Sequence, residues 1–508
     1  ASSANFPNGQ GITMRANINS HNWYGLLSNF NHKLNDELNF SVGIDARYYY
    51  GYHPGVVTNF LGANSLLERR DFNATSNPNL LVGHSITQYT SPSPSANPFA
   101  KAVKDKSQIA NRNYDGEVLW YGGFGQLEYS KNNFTAFVQG AVSQQGYQRI
   151  DNWIIDGVTV QSGETVNKKT GFKNIIGYNV KGGLNYNLTQ NHNVFGNIGF
   201  ISRQPFFSGV YPSNKQVVNP NLTNEKIFSA ELGYGFRSPN LRANLNLYRT
   251  SWSDRFQRRT GMTVDPDNNP ATNNSITNAY AEVSGIEQVH YGVEFDATYS
   301  IGKFIDLEAM FSWGDYRYQG DAEGDVFDDN NAPVIFTSGT NSTKLQLDNV
   351  KVGDAAQVTA ALGATFKPVK GLRVNANWRW VDQLYARFDV NAFDVSQQTA
   401  TYTPPALEKG ALRLPSYNLL DLGASYKFNI GAQESLTFGV NVYNVLDTTY
   451  ISEATTNNHT NLNANNFTGA NPAAQATALT NYNNQGTYKG IHQSNQVYFG
   501  FGRTWAAN

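Results

Sequence analysis

Residues 434–446 read Glu-Ser-Leu-Thr-Phe-Gly-Val-Asn-Val-Tyr-Asn-Val-Leu. Successive side chains of a strand point to opposite faces. Leu436, Phe438, Val440 and Val442 therefore share one face, and Ser435, Thr437, Gly439 and Asn441 the other. The code recurs along the chain. Phe228, Ala230, Leu232, Tyr234 and Phe236 oppose Ser229, Glu231, Gly233 and Gly235; Leu241, Ala243, Leu245 and Leu247 oppose Arg242, Asn244 and Asn246. Val358, Ala360, Leu362, Ala364 and Phe366 oppose Gln357, Thr359, Gly363 and Thr365. Leu372, Val374, Ala376, Trp378 and Trp380 oppose Arg373, Asn375, Asn377 and Arg379, and Leu420, Leu422, Ala424, Tyr426 and Phe428 oppose Asp421, Ser425 and Lys427. One face is greasy and the other amidic, charged or glycine. A soluble sandwich buries the greasy face; a transmembrane β-barrel turns it to lipid and keeps the polar face for a wet lumen.

The spacing between strands separates these readings. Short turns fall near 35–36, 130–132, 189–191, 238–240, 302–303, 368–370 and 431–432. Long polar loops fall at 51–115, 149–171, 202–223, 253–286, 318–355, 384–413 and 452–489. Strict alternation of tight turns with long loops is the bacterial outer-membrane pattern, and such loops are uncommon in compact soluble domains. Fifteen strands are predicted, with a sixteenth over Ile12, Met14, Ala16 and Ile18. The expected fold is all-β, an antiparallel transmembrane barrel occupying residues 1–508 as one domain. Residues 91–98 read as an extended linker and 456–486 as a flexible surface loop.

Composition agrees. Of 508 residues 40% are hydrophobic and mean hydropathy is −0.47, with no run near the roughly 20 apolar residues of a spanning helix. A barrel dilutes its apolar residues by alternation. A net charge of −1 argues against a nucleic-acid footprint. Cysteine is absent, which excludes disulfides and thiol chemistry. An arginine facing lipid costs roughly 2–4 kcal/mol at the midplane, and Arg47, Arg242, Arg373 and Arg379 all take the polar face. Arg503 shares the face of Phe499, Phe501 and Trp505, close to the C-terminus.

Motifs of catalysis and metal binding are missing: there is no G-x-S-x-G, H-E-x-x-H or Walker loop. No catalytic, cofactor or metal residue is assigned, no cofactor is expected, and the substrate contacts are unassigned. Asp265, Asp267 and Asn269 begin like an EF-hand, but Pro270 and Ile276 stand where Gly and Glu belong. The acidic run Asp321, Glu323, Asp325, Asp328 and Asp329 reads better as a solvated loop than as a calcium site. Gly122, Gly123 and Gly125 lie inside an alternating strand, which argues against a phosphate loop. Of the strand-end aromatics Trp23, Tyr24, Tyr48 to Tyr50, Trp252, Tyr316, Tyr318, Tyr450 and Trp505, most are expected in a membrane girdle, the rest in a ligand-stacking surface at the mouth.

Several stretches resemble the C-terminal part of TonB-dependent outer-membrane transporters. Asn219-Pro-Asn-Leu-Thr-Asn-Glu225, leading to Glu231-Leu-Gly233, is similar to that family's Asn-Pro-x-Leu-x-x-Glu run. Asn441-Val-Tyr-Asn-Val-Leu-Asp-Thr-Thr-Tyr-Ile451 resembles its penultimate strand, and Val497-Tyr-Phe-Gly-Phe-Gly-Arg-Thr-Trp505 its last. His21-Asn-Trp-Tyr-Gly25 looks like the versions found in Bacteroidota. The resemblance implies a plugged 22-stranded barrel, of which about 16 strands stand here, without the plug and TonB box. It implies energised uptake of an iron chelate, a cobalamin, a glycan or a peptide across a bacterial outer membrane. It also implies a small nutrient ligand, outer-membrane lipid, the TonB complex engaged through the missing N-terminal segment, and a SusD-like surface lipoprotein as partners. No enzymatic step is expected. The alternatives are a complete passive sixteen-stranded porin and, third, a soluble all-β binding protein.

Overall fold

The structure is a computed structural model. It describes residues 12–68, 84–90, 103, 105–154, 156–159, 165–212, 215–267, 272, 274–328, 332–395, 403, 405–431, 434–456, 471–483 and 497–507. The linker at 91–98 lies outside the described residues.

The chain opens with β1 (Met14–Asn17), β2 (Ser20–Lys33) and β3 (Leu38–Asn59), then a small hairpin of β4 (Leu66–Glu68) and β5 (His84–Ile86). Next come β6 (Ile109–Lys131) and β7 (Phe134–Asp151), and a second small hairpin of β8 (Val158–Thr159) and β9 (Thr165–Val166). The long strands β10 (Lys173–Asn187), β11 (His192–Arg203), β12 (Glu225–Arg237), β13 (Leu241–Val264), β14 (Ile276–Ile301) and β15 (Ile305–Tyr318) follow. Then come β16 (Ala322–Phe327), β17 (Ser342–Leu345), β18 (Val358–Phe366), β19 (Leu372–Asp382) and β20 (Arg387–Phe388). The last group is β21 (Tyr417–Asn429), β22 (Ser435–Tyr443), β23 (Tyr450–Thr456), β24 (Val497–Gly500) and β25 (Thr504–Ala507).

An 18-stranded sheet joins most of these. Its wall runs β2-β3-β6-β7-β10-β11-β12-β13-β14-β15-β18-β19-β21-β22-β25, each strand antiparallel to the next. The segment expected as a sixteenth strand forms β1. It pairs with the far end of β3, in line with β2 rather than beside it. All seven short turns join consecutive wall strands at one end, and the long connections lie at the other. The turn before β19 uses Gly371 at φ 92°. A Cβ there would lie 2.6 Å from the Lys427 carbonyl oxygen, while Gly371 O accepts the Lys427 N–H at 2.9 Å.

The pairing carries the two-face code across the whole wall. Leu232, Leu247, Val293, Leu307, Leu362 and Leu422 all fall in the outward register. Val180 is 53%, Leu362 55% and Phe438 57% exposed; in a soluble protein such residues make the core. Gly233 and Gly235, on the polar face, are buried. On that face large rings lie over glycines of adjacent strands: Phe124 over Gly43, Phe195 over Gly233, and Tyr248 over Gly292. The greasy face is therefore the outside.

The loops differ from expectation. The stretch 253–286 is mostly strand, because β13 and β14 continue as a ladder to Val264 and Ile276. β16 adds to the extended edge of β14 and β17 to β16. With β20 and the short helices Val390–Phe393 and Pro405–Lys409, they enclose a core that includes Met262, Ala281, Val283, Leu345, Leu347 and Phe393. Each fully buried large apolar side chain contributes about 1.5–3 kcal/mol, so the loops at 253–286, 318–355 and 384–413 form one folded cap. The acidic run is part of it as strand β16 rather than as a loop, with Asp321 and Glu323 exposed to solvent. Asp321 is paired with Lys344 (3.3 Å) and Asp328 caps the Ala332 N–H (2.7 Å), while Asp329 lies outside the described residues. Within 456–486, Pro472–Asn483 is a helix. Asn471 Oδ1 accepts the Ala474 N–H (2.9 Å), and proline suits the first helical position.

Two outcomes are expected. Because the chain has no cysteine, single nitroxide labels along 358–366 should show oxygen accessibility alternating with period two. The peaks should fall at Ala360, Leu362, Ala364 and Phe366; a flat profile would contradict the outward register. Gly371→Ala should cost at least about 1–2 kcal/mol, read as a lower urea midpoint of the refolded barrel.

Candidate functional site

The outward residues of β6 change from hydrocarbon to Glu117 and Asp115, which accept hydrogen bonds from the Tyr48 (2.7 Å) and Tyr50 (2.6 Å) hydroxyls. A carboxylate pair on the outer face places this level beyond the hydrocarbon. The polar face above it lines the mouth of the barrel.

Tyr114 is the centre of that mouth. It lies opposite His53 of β3 and Asp151 of β7. The His53 ring stacks on it at 4.9 Å and 18°. The Arg112 and Arg149 guanidinium carbons lie 4.9 Å and 4.7 Å from the ring centre, within cation–π range. Arg112 Nη2 donates to Asn19 Oδ1 (2.8 Å) and to the Tyr114 hydroxyl (3.1 Å). Arg149, 2% exposed, donates to Asp151 Oδ2 (2.9 Å) and Gln216 Oε1 (2.5 Å).

The cap delivers further cations. Arg258, in the extension of β13, lies over Tyr280 at 4.4 Å and near enough to Tyr114 to feel its phenol. Lys215, from the loop after β11, sits 3.6 Å from the centre of the Phe327 ring. Burial lowers the pKa of both Lys215 and Arg258, and burial raises that of Asp325, with Glu323 adding to it. Arg112, Arg149, Arg258 and Lys215 face Asp151, Glu282 and Asp325. Arg112 Nε, Arg149 Nε, Arg258 Nε and His53 Nδ1 are buried without a hydrogen-bond partner. Buried donors left unmade are costly, and several guanidinium N–H groups converging on one ring suit an anion with several oxygens.

A second ring group lies on β13 to β15. The Tyr248 and Tyr316 hydroxyls are 2.6 Å apart, His290 stacks on Tyr316 at 4.3 Å, and Trp252 lies 4.5 Å from His290. This corrects the girdle expectation. Trp23, Tyr49, Trp252, Tyr316 and Tyr318 take the polar face, while Tyr24, Tyr48, Tyr50 and Trp505 take the apolar one. Tyr450 stacks on Tyr417 at 4.2 Å. Parity within each strand decides the face; proximity to a strand end does not. Sequence reasoning expected some of these aromatics at the mouth but assigned no charged residue there. Tyr114, Arg112, Arg149, Arg258 and Lys215 come from four separate elements, so no local spacing marks them.

A greasy outside, a polar wall and a charged, aromatic mouth under a folded cap define an outer-membrane β-barrel. The chain belongs to the family described as TonB dependent receptor-like, beta-barrel, whose model matches residues 2–445, and it is an outer-membrane protein of that receptor and transporter family. No curated protein sequence matches it. Among solved structures it is similar to the ferric citrate transporter FecA in the unliganded form, at 12% identity and a TM-score of 0.52, over 97% of this chain and 55% of that one. The copper transporter OprC is similar at 10% identity and 0.51, over 86% and 52%. So is the siderophore receptor PiuA from Acinetobacter baumannii, at 13% and 0.50, over 86% and 53%. At these identities the likeness is one of fold. The chain spans about half the length of the structures it matches.

Burial, with Arg112, His21 and Arg149 nearby, pushes the His53 pKa down to about 4. An unfolded histidine titrates near 6.5. The unfolded or opened state therefore takes up the proton first, and the mouth loses stability as pH falls from about 6.5 to 4. Amide protection factors at 113–115, taken relative to the intrinsic exchange rate at each pH, should fall over that window, and His53→Gln should flatten the change.

Proposed function

We propose that this chain is the barrel of a receptor that takes up a small anionic nutrient by TonB-dependent transport. The observation that carries the reading of the cargo is the gathering of Arg112, Arg149, Arg258 and Lys215 on the rings of Tyr114, Tyr280 and Phe327 at the mouth. The negative carboxylate, catecholate or hydroxamate oxygens of an iron chelate would pair with these cations by charge-assisted hydrogen bonds, whereas a neutral glycan offers hydroxyl acceptors without the charge. Family membership supports the transport class. In this reading the barrel has 22 strands, a plug and TonB box belong to sequence outside these residues, and the TonB complex acts on them. A SusD-type surface lipoprotein is a further partner, resting on residues 21–25 alone. The wall residues position and pass the cargo, and no covalent step is involved.

The test is uptake by iron-starved cells carrying the full-length receptor, given radioactive iron as a panel of anionic chelates. At least one chelate should accumulate, and a protonophore should abolish its uptake. Flux that persists with the protonophore would mean a passive pore. Replacing Arg112 and Arg258 together by alanine should weaken binding of the transported chelate about tenfold or more.

A further inference from the structure

The connection from β11 to β12 folds into the mouth. Its short helix, Phe207–Val210, lies on the polar face of the wall. The Phe207 ring rests over Gly116 of β6, where a Cβ would lie 2.9 Å from its tip. Val210 and Tyr211 share a buried core with Tyr147 of β7, joined by Val118 and Ile175. The Tyr147 hydroxyl donates to the Pro205 carbonyl (2.5 Å), and the Tyr211 hydroxyl to the Tyr147 carbonyl (3.1 Å). On its other side the helix meets β13: a Cβ on Gly209 would lie 3.7 Å from the Phe256 ring. Further along, Lys215 reaches the cap, 3.6 Å from the centre of the Phe327 ring and 5.9 Å from that of Tyr280. One connection therefore touches β6 and β7 on one side of the mouth and the cap on the other. It is a strap across the opening.

The strap is fastened differently along its length. Its base is tied by charge and by amides. Glu225 pairs with Arg203 and with Arg255 (2.9 Å), and Asn224 Nδ2 donates to the Ile176 carbonyl (2.7 Å) and to Ser202 Oγ (2.9 Å). Asn219 closes the strap on itself: its N–H donates to the Val210 carbonyl (2.9 Å) and its Nδ2 to that of Gly209 (3.1 Å). The middle is held by Gln216, 4% exposed. Its Nε2 donates to the Asn167 (2.9 Å) and Lys168 (2.7 Å) carbonyls. Its Oε1 accepts from Arg149 Nη1. Asp151 reaches Arg149 from the same strand and Tyr114 from the next one; Gln216 is what the strap adds. A neutral amide oxygen thus stands on a guanidinium N–H, the position that an oxygen of the cargo needs.

We propose that this strap is an autoinhibitory gate with Gln216 as its internal ligand: an anionic cargo displaces the Gln216 amide oxygen from Arg149, and the strap then leaves the cap while its base at 203–204 and 224–225 stays tied. This rests on the reading of Arg149 as a group that binds cargo. A charged acceptor makes a shorter hydrogen bond to a guanidinium than a neutral one does, and a bond roughly twice as strong. The exchange therefore runs toward the cargo, and a neutral acceptor in its place would not drive it. The closed strap also lowers apparent affinity, because cargo binds only the fraction of receptors in which Arg149 is uncovered. Selection for charge is then made twice, once by the cations and once by the group that guards them.

The test uses the full-length receptor with nitroxides at Ser208→Cys in the strap and Ser338→Cys in the cap, both exposed positions, in a background without other cysteines. Double electron–electron resonance reads the distance between them, and the probes are the ferric chelates of the uptake panel at saturation. Without chelate one distance should dominate, and a bound chelate should add a longer one. Gln216→Ala should populate the longer distance with no chelate present and tighten chelate binding about threefold or more. A chelate that binds while the distance stays the same would overturn the gate. So would weaker binding by Gln216→Ala, the result expected if Gln216 only holds Arg149 in place. If no chelate of the panel binds, the reading of the cargo fails, and the Gln216→Ala distance alone decides the strap: a longer one upholds it and an unchanged one overturns it. The chelate-induced change in the labelled receptor with Gln216 intact stands whether or not the Gln216 variant folds.

Discussion

The structure depends on the ladder of backbone hydrogen bonds from strand to strand. In hydrocarbon no water can satisfy a free N–H or C=O, so each strand of a wall has to be paired along its length. Once β2 through β25 are locked in register, every second side chain is committed to lipid. The polar alternates are committed to the other side in the same step. Leu362 and Gly363 have opposite fates because they are neighbours. The outside of the wall is then a requirement on composition at fixed positions, and the lumen is where the sequence keeps its freedom.

That constraint explains what could be read from the chain. A period of two and a tight turn are local signals, so the seven turns and the faces of strands such as β12, β18, β19 and β21 are plain in the sequence. The cap is not local. Ala279, Ala281 and Val283 alternate with Tyr280, Glu282 and Ser284, yet the stretch sits beside a run rich in proline and asparagine and looks like loop. Its partners are β16, some 40 residues on, and β13, across the connection 265–275. The pairing that makes it a strand is visible only in three dimensions. The same holds for the mouth, where Tyr114 meets Lys215 and Arg258 from distant elements.

The cap and the wall follow opposite rules within single strands. β14 faces lipid with Phe295 and Tyr299 near its turn, then buries Ala281 and Val283 in a water-excluding core at its far end. The change comes where Gly285 takes φ 67° and the pairing with β13 shifts register. A bulge re-aims the side chains that follow it. One ladder thus serves two solvents, and the cap is held to the wall by continuous backbone rather than by a flexible link.

The rings that lie flat on glycines of the next strand give the inner wall low relief. Phe124, Phe195 and Tyr248 each spread sideways where a neighbour has no side chain. Bulk is laid along the surface instead of standing out from it. A wall with upright side chains would key into whatever occupies the bore and resist its displacement. A smooth one offers contact area without interlocking, so a solid body held there is retained by many weak contacts and can shift along the wall without first unpacking it.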